Sequence, residues 1–293
     1  MDRLDALRTF VAVADRRSFA EAARWLRISP TAASRAVGEL EQGLGVTLLR
    51  RTTRSVGLTP EGAAYLERCR RILDELDEAD RSLRGEDAGP RGALVVTAPV
   101  VFGRMHVLPV VNGLLRAHPA LDVQLSLTDR VIRLVEEGVD VAVRIADLSD
   151  SALHAVQVTR VRRVLVASPA YLERRGEPTE VAQLHDHDLV VFDNFAPSRK
   201  WRFTASGRPA VRLEPRLLTN SVEAAIDAAL DGLGIARALS YQVEAHLQAG
   251  RLRYVLPAYD PPAVPVSLVF QANRRGSPNV RALIAAMQAR FRA

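Results

Sequence analysis

The chain of 293 residues lacks the features by which secreted and membrane proteins are recognised. Its single cysteine, Cys69, cannot form a disulfide within the chain, which is typical of proteins of the reducing cytoplasm. No apolar run approaches the roughly 20 residues that span a bilayer, and residues 1–5 are too acidic for a signal peptide. These absences predict a cytoplasmic protein that has no membrane partner.

The motifs of common catalytic sites are missing as well. The sequence contains no phosphate-binding Walker loop, no HExxH zinc motif and no GxSxG nucleophile elbow. The His-Asp-His-Asp segment 185–188 has chelating spacing but no third ligand, and the glycines of segment 232–236 follow a helical pattern where the dinucleotide fingerprint needs a strand. We therefore expect no catalytic residue, no metal and no cofactor, and we do not expect an enzyme.

Lysine is almost absent, since Lys200 is the only lysine among 40 basic residues, and we attribute the preference for arginine to a GC-rich genome. The formal net charge of +6 is unevenly distributed. Residues 1–58 hold ten arginines and six acidic residues, whereas residues 59–89 hold five arginines and nine acidic residues. The basic N-terminal segment indicates an anionic partner. The length and the hydrophobic content of 48% suit two domains.

The hydrophobic pattern of residues 1–42 predicts three helices. An apolar stripe at helical spacing begins at Leu4, and Ser18 is the predicted N-cap of a second helix. Ser29 followed by Pro30 predicts the start of a third helix, which extends to about residue 42.

The third helix has two unlike faces. The face predicted to be buried carries Ala33, Ala36, Val37, Leu40 and Leu44. The opposite face carries Thr31, Ser34, Arg35, Gly38 and Gln42. Little bulk, hydroxyl donors and one arginine are what a helix needs to enter the major groove of DNA. The alternative is an ordinary solvated face of a helical bundle.

A basic hairpin is predicted after the third helix. Residues 46–59 alternate in polarity like two short strands, with Arg50, Arg51 and Arg54 at the tip. Three guanidinium groups there suit the phosphate backbone or a minor groove. A solvated charge cluster is the alternative, and we favour it less because the hairpin directly follows a helix suited to the major groove.

A long acidic helix is predicted from residue 59 to about residue 84, about 40 Å in length. Its apolar positions follow a heptad-like spacing that Asp80 interrupts: Leu66, Cys69, Leu73, Leu76 and Leu83. This seam suits pairing with a second copy of the chain or docking on the C-terminal domain. Cys69 is interpreted as a small seam residue and not as a reactive thiol. Residues 85–92 form a predicted hinge.

The C-terminal two thirds of the chain alternate between strand and helix patterns, which favours an α/β architecture with mostly parallel sheets. Predicted strands are 93–98, 123–127, 139–145, 162–167, 189–192 and 266–270. Predicted helices are 102–117, 130–137, 221–230 and 278–291. About 200 residues of this kind suit two small lobes.

Nearly the whole chain resembles the LysR-type transcriptional regulators. The N-terminal resemblance lies in segments 7–14 (LRTFVAVA), 18–23 (SFAEAA), 26–35 (LRISPTAASR), 40–51 (LEQGLGVTLLRR) and 58–62 (LTPEG). The C-terminal resemblance lies in segments 96–103 (VTAPVVFG), 140–145 (DVAVRI), 163–169 (RVLVASP), 220–221 (NS) and 232–236 (GLGIA). The family often has glutamine in place of Pro30 and phenylalanine in place of Leu49. Pro30 removes one side chain that could contact a base.

The resemblance implies a winged helix-turn-helix at residues 1–58, a linker and dimerisation helix with its hinge at 59–90, and an effector-binding domain at 91–293. That domain resembles the periplasmic binding proteins, with one lobe at about 91–161 and 267–293 and the other at about 162–266. The chain most resembles members that sense small organic or aromatic acids.

The predicted DNA-binding residues are Ser29, Pro30, Thr31, Ala32, Ser34, Arg35, Arg50, Arg51 and Arg54. Effectors in such sheets bind beyond the carboxyl ends of strands and at helix N-termini. The predicted effector-binding residues are therefore Pro99, Val100, Val101, Phe102, Thr128, Arg144, Ala146, Phe192, Asn194, Asn220 and Ser221. Arg144 suits a carboxylate, with a structural ion pair as the alternative.

The expected partners are double-stranded DNA, a small-molecule effector, further copies of the chain in a homodimer or homotetramer, and RNA polymerase. Two other classes of protein are less consistent with the sequence. A transport module is disfavoured by the missing signal peptide, and an enzyme by the missing catalytic set.

Overall fold

The computed structural model describes residues 2–51, 56–83, 89–147, 153–192, 200–203, 210–212 and 214–292. The chain divides into two compact units, residues 1–92 and 93–293, and each is described by itself. Within the described residues, no helix combines the length and the apolar composition that a membrane crossing requires.

The N-terminal unit is a winged helix-turn-helix followed by a long helix. Its elements are α1 (Arg3–Arg16), α2 (Phe19–Leu26), α3 (Pro30–Leu44), β1 (Leu49–Arg51), β2 (Val56–Leu58) and α4 (Pro60–Leu83). The predicted N-caps are confirmed, because the Ser18 hydroxyl accepts the Glu21 N–H and the Ser29 hydroxyl accepts the Ala32 N–H. Gly45 ends α3 in the left-handed conformation, at φ 69°.

The predicted apolar faces meet in one core. Phe10 and Val13 of α1 are fully buried against Ala36 and Val37 of α3, which are also fully buried. Strands β1 and β2 pair as an antiparallel hairpin, which is the wing. Leu49 of β1 packs in the same core. The inner face predicted for the third helix is thus confirmed, and its polar face is left outside.

Helix α4 packs on its own unit through the first half of the predicted seam. Leu66 and Cys69 are 5% and 0% exposed in the N-terminal core, and the Tyr65 ring lies 5.9 Å from the Phe10 ring. Burial raises the pKa of the Cys69 thiol to about 11, so it is protonated at neutral pH and acts as a packing residue. A second copy cannot pack on these two residues. Ile72, outside the predicted seam, is 47% exposed.

The C-terminal unit contains two five-stranded sheets, one in each lobe. Lobe I has the order β4-β3-β5-β14-β6, made of Leu121–Leu127, Gly92–Ala98, Val141–Ile145, Val264–Phe270 and His154–Val161. Lobe II has the order β11-β8-β12-β7-β13, made of Pro215–Thr219, Leu189–Phe192, Ile235–Leu239, Arg163–Ala167 and Arg253–Val255. A separate antiparallel pair joins β9 (Lys200–Arg202) and β10 (Ala210–Arg212).

Helices cover both sheets. They are α5 (Val100–Phe102), which continues through a π-helical segment (Gly103–Val107) into α6 (Leu108–Ala117), then α7 (Pro169–Arg175), α8 (Val222–Leu230), α9 (Ser240–Gln248) and α10 (Pro278–Arg292). Helices α6 and α10 cover the lobe I sheet. In lobe II, Val164 and Ala236 pack under α8 and α9, whereas Leu165 and Ile235 face Trp201.

The prediction of mostly parallel sheets was wrong in part. Strand β14 runs antiparallel to both β5 and β6, and β7 runs antiparallel to both β12 and β13. The reason is topological, because the chain passes straight from β6 into β7 at Arg162 and later returns into β14. The pairs β3–β5, β8–β11 and β8–β12 are parallel.

The helix predicted for residues 130–137 does not form. This segment makes a single turn, in which the Val139 N–H donates to the Leu134 carbonyl and Gly138 has φ 63°. Ile132, Leu134 and Val139 are buried together, which anchors the segment in a non-helical path. The lobe boundary also differs from the expected one, since β14 begins at Val264 and belongs entirely to lobe I.

Candidate DNA-binding and effector-binding sites

The outward face of α3 begins at its N-terminus. The Ser29 hydroxyl accepts the Ala32 N–H at 3.1 Å, and Pro30 occupies the first helical position, where no N–H is needed. Thr31 is exposed, whereas Ala32 and Ser34 are half-buried. The predicted residues therefore form one surface of small side chains at the start of α3. Ser29 is the N-cap that holds the first turn of this helix.

Arg35 extends from this surface and has a partner on the same helix. Its Nε lies 3.3 Å from Glu39 Oε1, and the two side chains are 72% and 49% exposed. An exposed pair of this kind contributes little to stability. The guanidinium is therefore available to exchange Glu39 for another acceptor.

The wing is tied to α3 by a carboxylate that sequence reasoning missed. Glu41 Oε1 accepts the N–H groups of Leu48 and Leu49 at 2.8 and 3.0 Å. Arg50, next to Leu49, is exposed. The available signal was an acid on α3 a few residues before two apolar wing residues. Arg51 lies opposite Val56 in the hairpin.

The side chain of Arg51 and all of Arg54 lie outside the described residues, so their predicted role stays a prediction.

The first-strand turn of lobe I already holds a carboxylate. Asp129 Oδ1 accepts the Val100 N–H at 3.2 Å, at the turn where the effector-binding residues Pro99 to Phe102 are predicted. Burial, with the nearby charge of Glu223, raises the pKa of Asp129. Pro99 and Val100 are half-buried at this turn. Asp129 directly follows the predicted Thr128, and its position after a strand was the available signal.

Val101 and Phe102 lie between the two lobes. Val101, 5% exposed, packs in the core of lobe II, and Phe102, 1% exposed, contacts the Tyr241 ring edge-on at 5.4 Å between centroids. Arg104 joins the lobes at the surface through an ion pair of 2.7 Å with Glu223. In this structure, Val101, Phe102 and Arg104 of lobe I all contact lobe II.

Arg144 has a main-chain partner within lobe I. Its guanidinium donates to the Ile132 carbonyl at 2.6 Å, and burial lowers its pKa. Thr128 accepts the Arg130 N–H at 3.3 Å, and Ala146 is half-buried just beyond β5. This favours a structural role for Arg144, although the partner is a main-chain carbonyl and not the acid of the ion pair given as the alternative.

The lobe II candidates lie at one sheet edge. Phe192 lies beside Thr219 in the parallel pair of β8 and β11 and is half-buried. Asn220 is exposed, and Ser221 caps α8 by accepting the Ala224 N–H at 3.2 Å. Asn194 lies outside the described residues.

Segment 185–188 has structural contacts. His187 Nδ1 lies 3.1 Å from the Tyr171 hydroxyl, and Asp188 forms an ion pair with Arg216 at 3.1 Å. Across the part of the chain that is described, no group of three or more His, Cys, Asp and Glu residues is arranged to hold a metal ion.

Comparison with known families gives two matches that cover nearly the whole chain. Residues 4–63 match the bacterial regulatory helix-turn-helix of the lysR family, and residues 87–292 match the LysR substrate binding domain.

Several curated proteins and solved structures are similar over almost their full lengths. An HTH-type transcriptional repressor of Pseudomonas aeruginosa is 32% identical over 97% of this chain and 90% of its own length. The regulator DmlR of Escherichia coli is 35% identical over 89% of this chain and 85% of its own. The LysR-type regulator CrgA of Neisseria meningitidis has a TM-score of 0.62 at 28% identity and covers 98% of both chains.

Proposed function

The chain belongs to the LysR-type family of DNA-binding transcription regulators, and on that premise we propose which surfaces bind DNA and effector. Helix α3 enters the major groove and the wing contacts the backbone beside it. The observation that carries this is Glu41, which holds the wing strand with its exposed Arg50 at a fixed place beside α3.

The roles of the α3 residues follow from their size and exposure. Thr31, Ser34 and Arg35 contact base edges, and Arg35 suits a bidentate contact with guanine. Ser29 fixes the helix start, while Pro30 and Ala32 keep the surface low enough for close approach. In the wing, Arg50, Arg51 and Arg54 bind phosphates or a minor groove.

The effector of the C-terminal unit is a small organic acid, aromatic or aliphatic. The guanidinium group of an arginine can bind a carboxylate through two parallel hydrogen bonds. The turn at Val100 is not the anion site, because Asp129 already accepts the amide there and a second carboxylate would be repelled. The acid therefore binds to a guanidinium elsewhere in the two lobes, and its differential affinity shifts the population of lobe arrangements.

The chain acts in the cytoplasm as a homodimer or as a tetramer of two such dimers. Pairing uses the second half of α4, since Leu66 and Cys69 are buried in their own unit. Ile72, 47% exposed, supplies apolar surface for it. RNA polymerase is a further partner.

Binding of the purified chain to the intergenic DNA beside its own gene tests this function. We expect Arg35→Ala to weaken specific binding by about 1–3 kcal/mol, mainly at one base position, because a bidentate base contact is lost. Affinity should fall steeply with salt, as counterions are released from phosphates. The matched control is Arg133→Ala, since Arg133 is an arginine of the C-terminal unit that is 79% exposed and, like Arg35, has a glutamate partner on its own segment. Wild-type affinity and footprint for Arg35→Ala would refute the assigned role.

A further inference from the structure

The π-helical segment (Gly103–Val107) of lobe I contacts two helices of lobe II. Its Arg104 forms the ion pair of 2.7 Å with Glu223 of α8. The imidazole of its His106 lies edge-on to the Tyr241 ring of α9, with 5.4 Å between the ring centroids. Single π-helical turns are rare and occur frequently at functional sites. A change in this one segment therefore acts on the contact between the lobes at two places.

His106 is half-buried among three aromatic rings. Its ring centroid lies 4.7 Å from that of Phe102 and 5.3 Å from that of Phe291, which both belong to lobe I. The third ring is that of Tyr241 in lobe II. Tyr241 packs against the hydrophobic cores of both lobes. The imidazole thus lies within the contact that joins the lobes, beside the residue that bridges their cores.

A positive charge faces His106 from α10. The Arg290 guanidinium donates to the main-chain carbonyl of Met105 at 3.0 Å, next to His106 in the chain. Burial, with the repulsion of Arg290, lowers the pKa of His106. The imidazole is therefore neutral at neutral pH, and protonation brings a second positive charge close to that of Arg290.

Other ionisable groups at this contact already have partners. Burial, with the nearby charge of Asp129, raises the pKa of Tyr241, so its hydroxyl is uncharged. Glu223 is paired with Arg104, and Asp129 accepts a main-chain N–H of lobe I. The two carboxylates therefore serve other groups, while the imidazole itself is surrounded by rings.

We propose that His106 is a pH switch of the C-terminal unit. When neutral, it packs against Tyr241 and joins the lobes. When acid protonates it, this contact loosens and the lobes move relative to each other. An imidazolium in this place is desolvated and lies near Arg290, and it regains water only if the cluster opens. Protonation therefore favours lobe arrangements in which Tyr241 has withdrawn. The switch goes beyond the proposed function, because it needs no effector.

The direction of the effect follows from the lowered pKa of His106. The stability that the neutral contact contributes is fully present above the ordinary histidine pKa of 6.5 and is lost as pH falls through the lowered value. The faces of aromatic rings attract a cation and so act in the opposite direction. A titration of His106 decides which of the two effects is larger.

NMR titration of the full-length chain, labelled with 13C at the histidine rings, measures this protonation directly. The His106 signal is assigned by its loss in His106→Phe. We expect a midpoint below 6.5 in the wild type. Arg290→Met should raise this midpoint by about 0.5, since it removes an exposed, partly screened like charge. Arg292→Met, an exposed arginine of the same helix, is the matched control and should leave the midpoint unchanged.

The distance between the lobes is measured by electron–electron double resonance. Nitroxide labels are placed at Arg116→Cys in lobe I and Gln248→Cys in lobe II, where both native side chains are exposed. Cys69, 0% exposed, stays in place, and excess unlabelled chain restricts the signal to distances within one chain. Between about pH 7.5 and about pH 5, the wild-type distance should shift or broaden by about 2 Å or more.

Variants separate His106 from every other group that acid protonates. His106→Phe keeps a ring of similar size but cannot be protonated, so the distance should be the same at both pH values. His106→Gln is also neutral at both and should behave alike, which guards against misfolding of a single variant. The matched control is His154→Phe, because His154 is exposed and its ring lies 6.0 Å from that of Phe270. It should respond to acid like the wild type.

Three results would each overturn the switch. They are a His106 midpoint above 6.5, a wild-type distance that acid leaves unchanged, and an acid response that persists in both His106→Phe and His106→Gln. None of them bears on DNA binding by the N-terminal unit, so the proposed function stands or fails separately.

Discussion

The two units use arginine in opposite ways. In the N-terminal unit, Arg35 is 72% exposed and Arg50 is exposed, above a tightly packed frame. In the C-terminal unit, Arg144, Arg163 and Arg237 are partly buried and have lowered pKa values because of desolvation. Exposed guanidinium groups suit a large, hydrated polyanion, whereas desolvated ones suit one small anion that enters without its water. Under the proposed function, the exposed arginines bind DNA and the partly buried ones are suited to a small anion.

The largest expected effect concerns the close packing of the N-terminal unit at Gly62. A Cβ there would lie 2.0 Å from the Leu48 carbonyl oxygen, so Gly62→Ala must displace the wing from α4. We expect a loss of about 3 kcal/mol in the free energy of unfolding of this unit, measured in urea. Gly38→Ala is the control, since a Cβ at Gly38 meets nothing within 4 Å and should stabilise α3 by about 0.5–1 kcal/mol. If Gly62→Ala were as stable as the wild type, the backbone around Leu48 would be able to move aside at little cost in free energy.

Glu41 tests whether the exposed arginines of the wing depend on that frame. Glu41→Ala removes the acceptor of the Leu48 and Leu49 N–H groups and should cost about 2 kcal/mol, with weaker DNA binding. Glu39→Ala, on the same helix but exposed, should change stability by less than about 0.5 kcal/mol. If both variants bind DNA like the wild type, the wing does not need this tie.

The effect of burial on a charged group of the C-terminal unit can be tested through the pH dependence of its stability, with Asp129 as the group concerned. Burial raises the pKa of Asp129, so the folded unit retains a proton that the unfolded chain loses. This contribution to stability is present below the ordinary carboxyl pKa and is lost as pH rises through the raised one. Asp129→Asn, which can still accept the Val100 N–H, should flatten this part of the stability–pH profile. An unchanged profile would mean that Asp129 is well solvated.

Much of the N-terminal unit was predictable. Its caps at Ser18 and Ser29 and the inner face of α3 follow from spacing within one turn of helix, and both were confirmed. The helix expected at 130–137 was wrong because Ile132 and Leu134 are anchored by packing with Val139, which outweighs local propensity. Glu41 escaped prediction because its partners lie in another element.

The sequence alone determined the three N-terminal helices, the excess of basic residues in residues 1–58 and the family of the chain, because periodicity, capping and charge are properties of neighbouring residues. Tertiary structure decided that Arg163 and Arg237 share one face and that the Asp129 carboxylate accepts the Val100 N–H. Strand register and loop contacts join residues distant in sequence, so the local pattern holds no record of them.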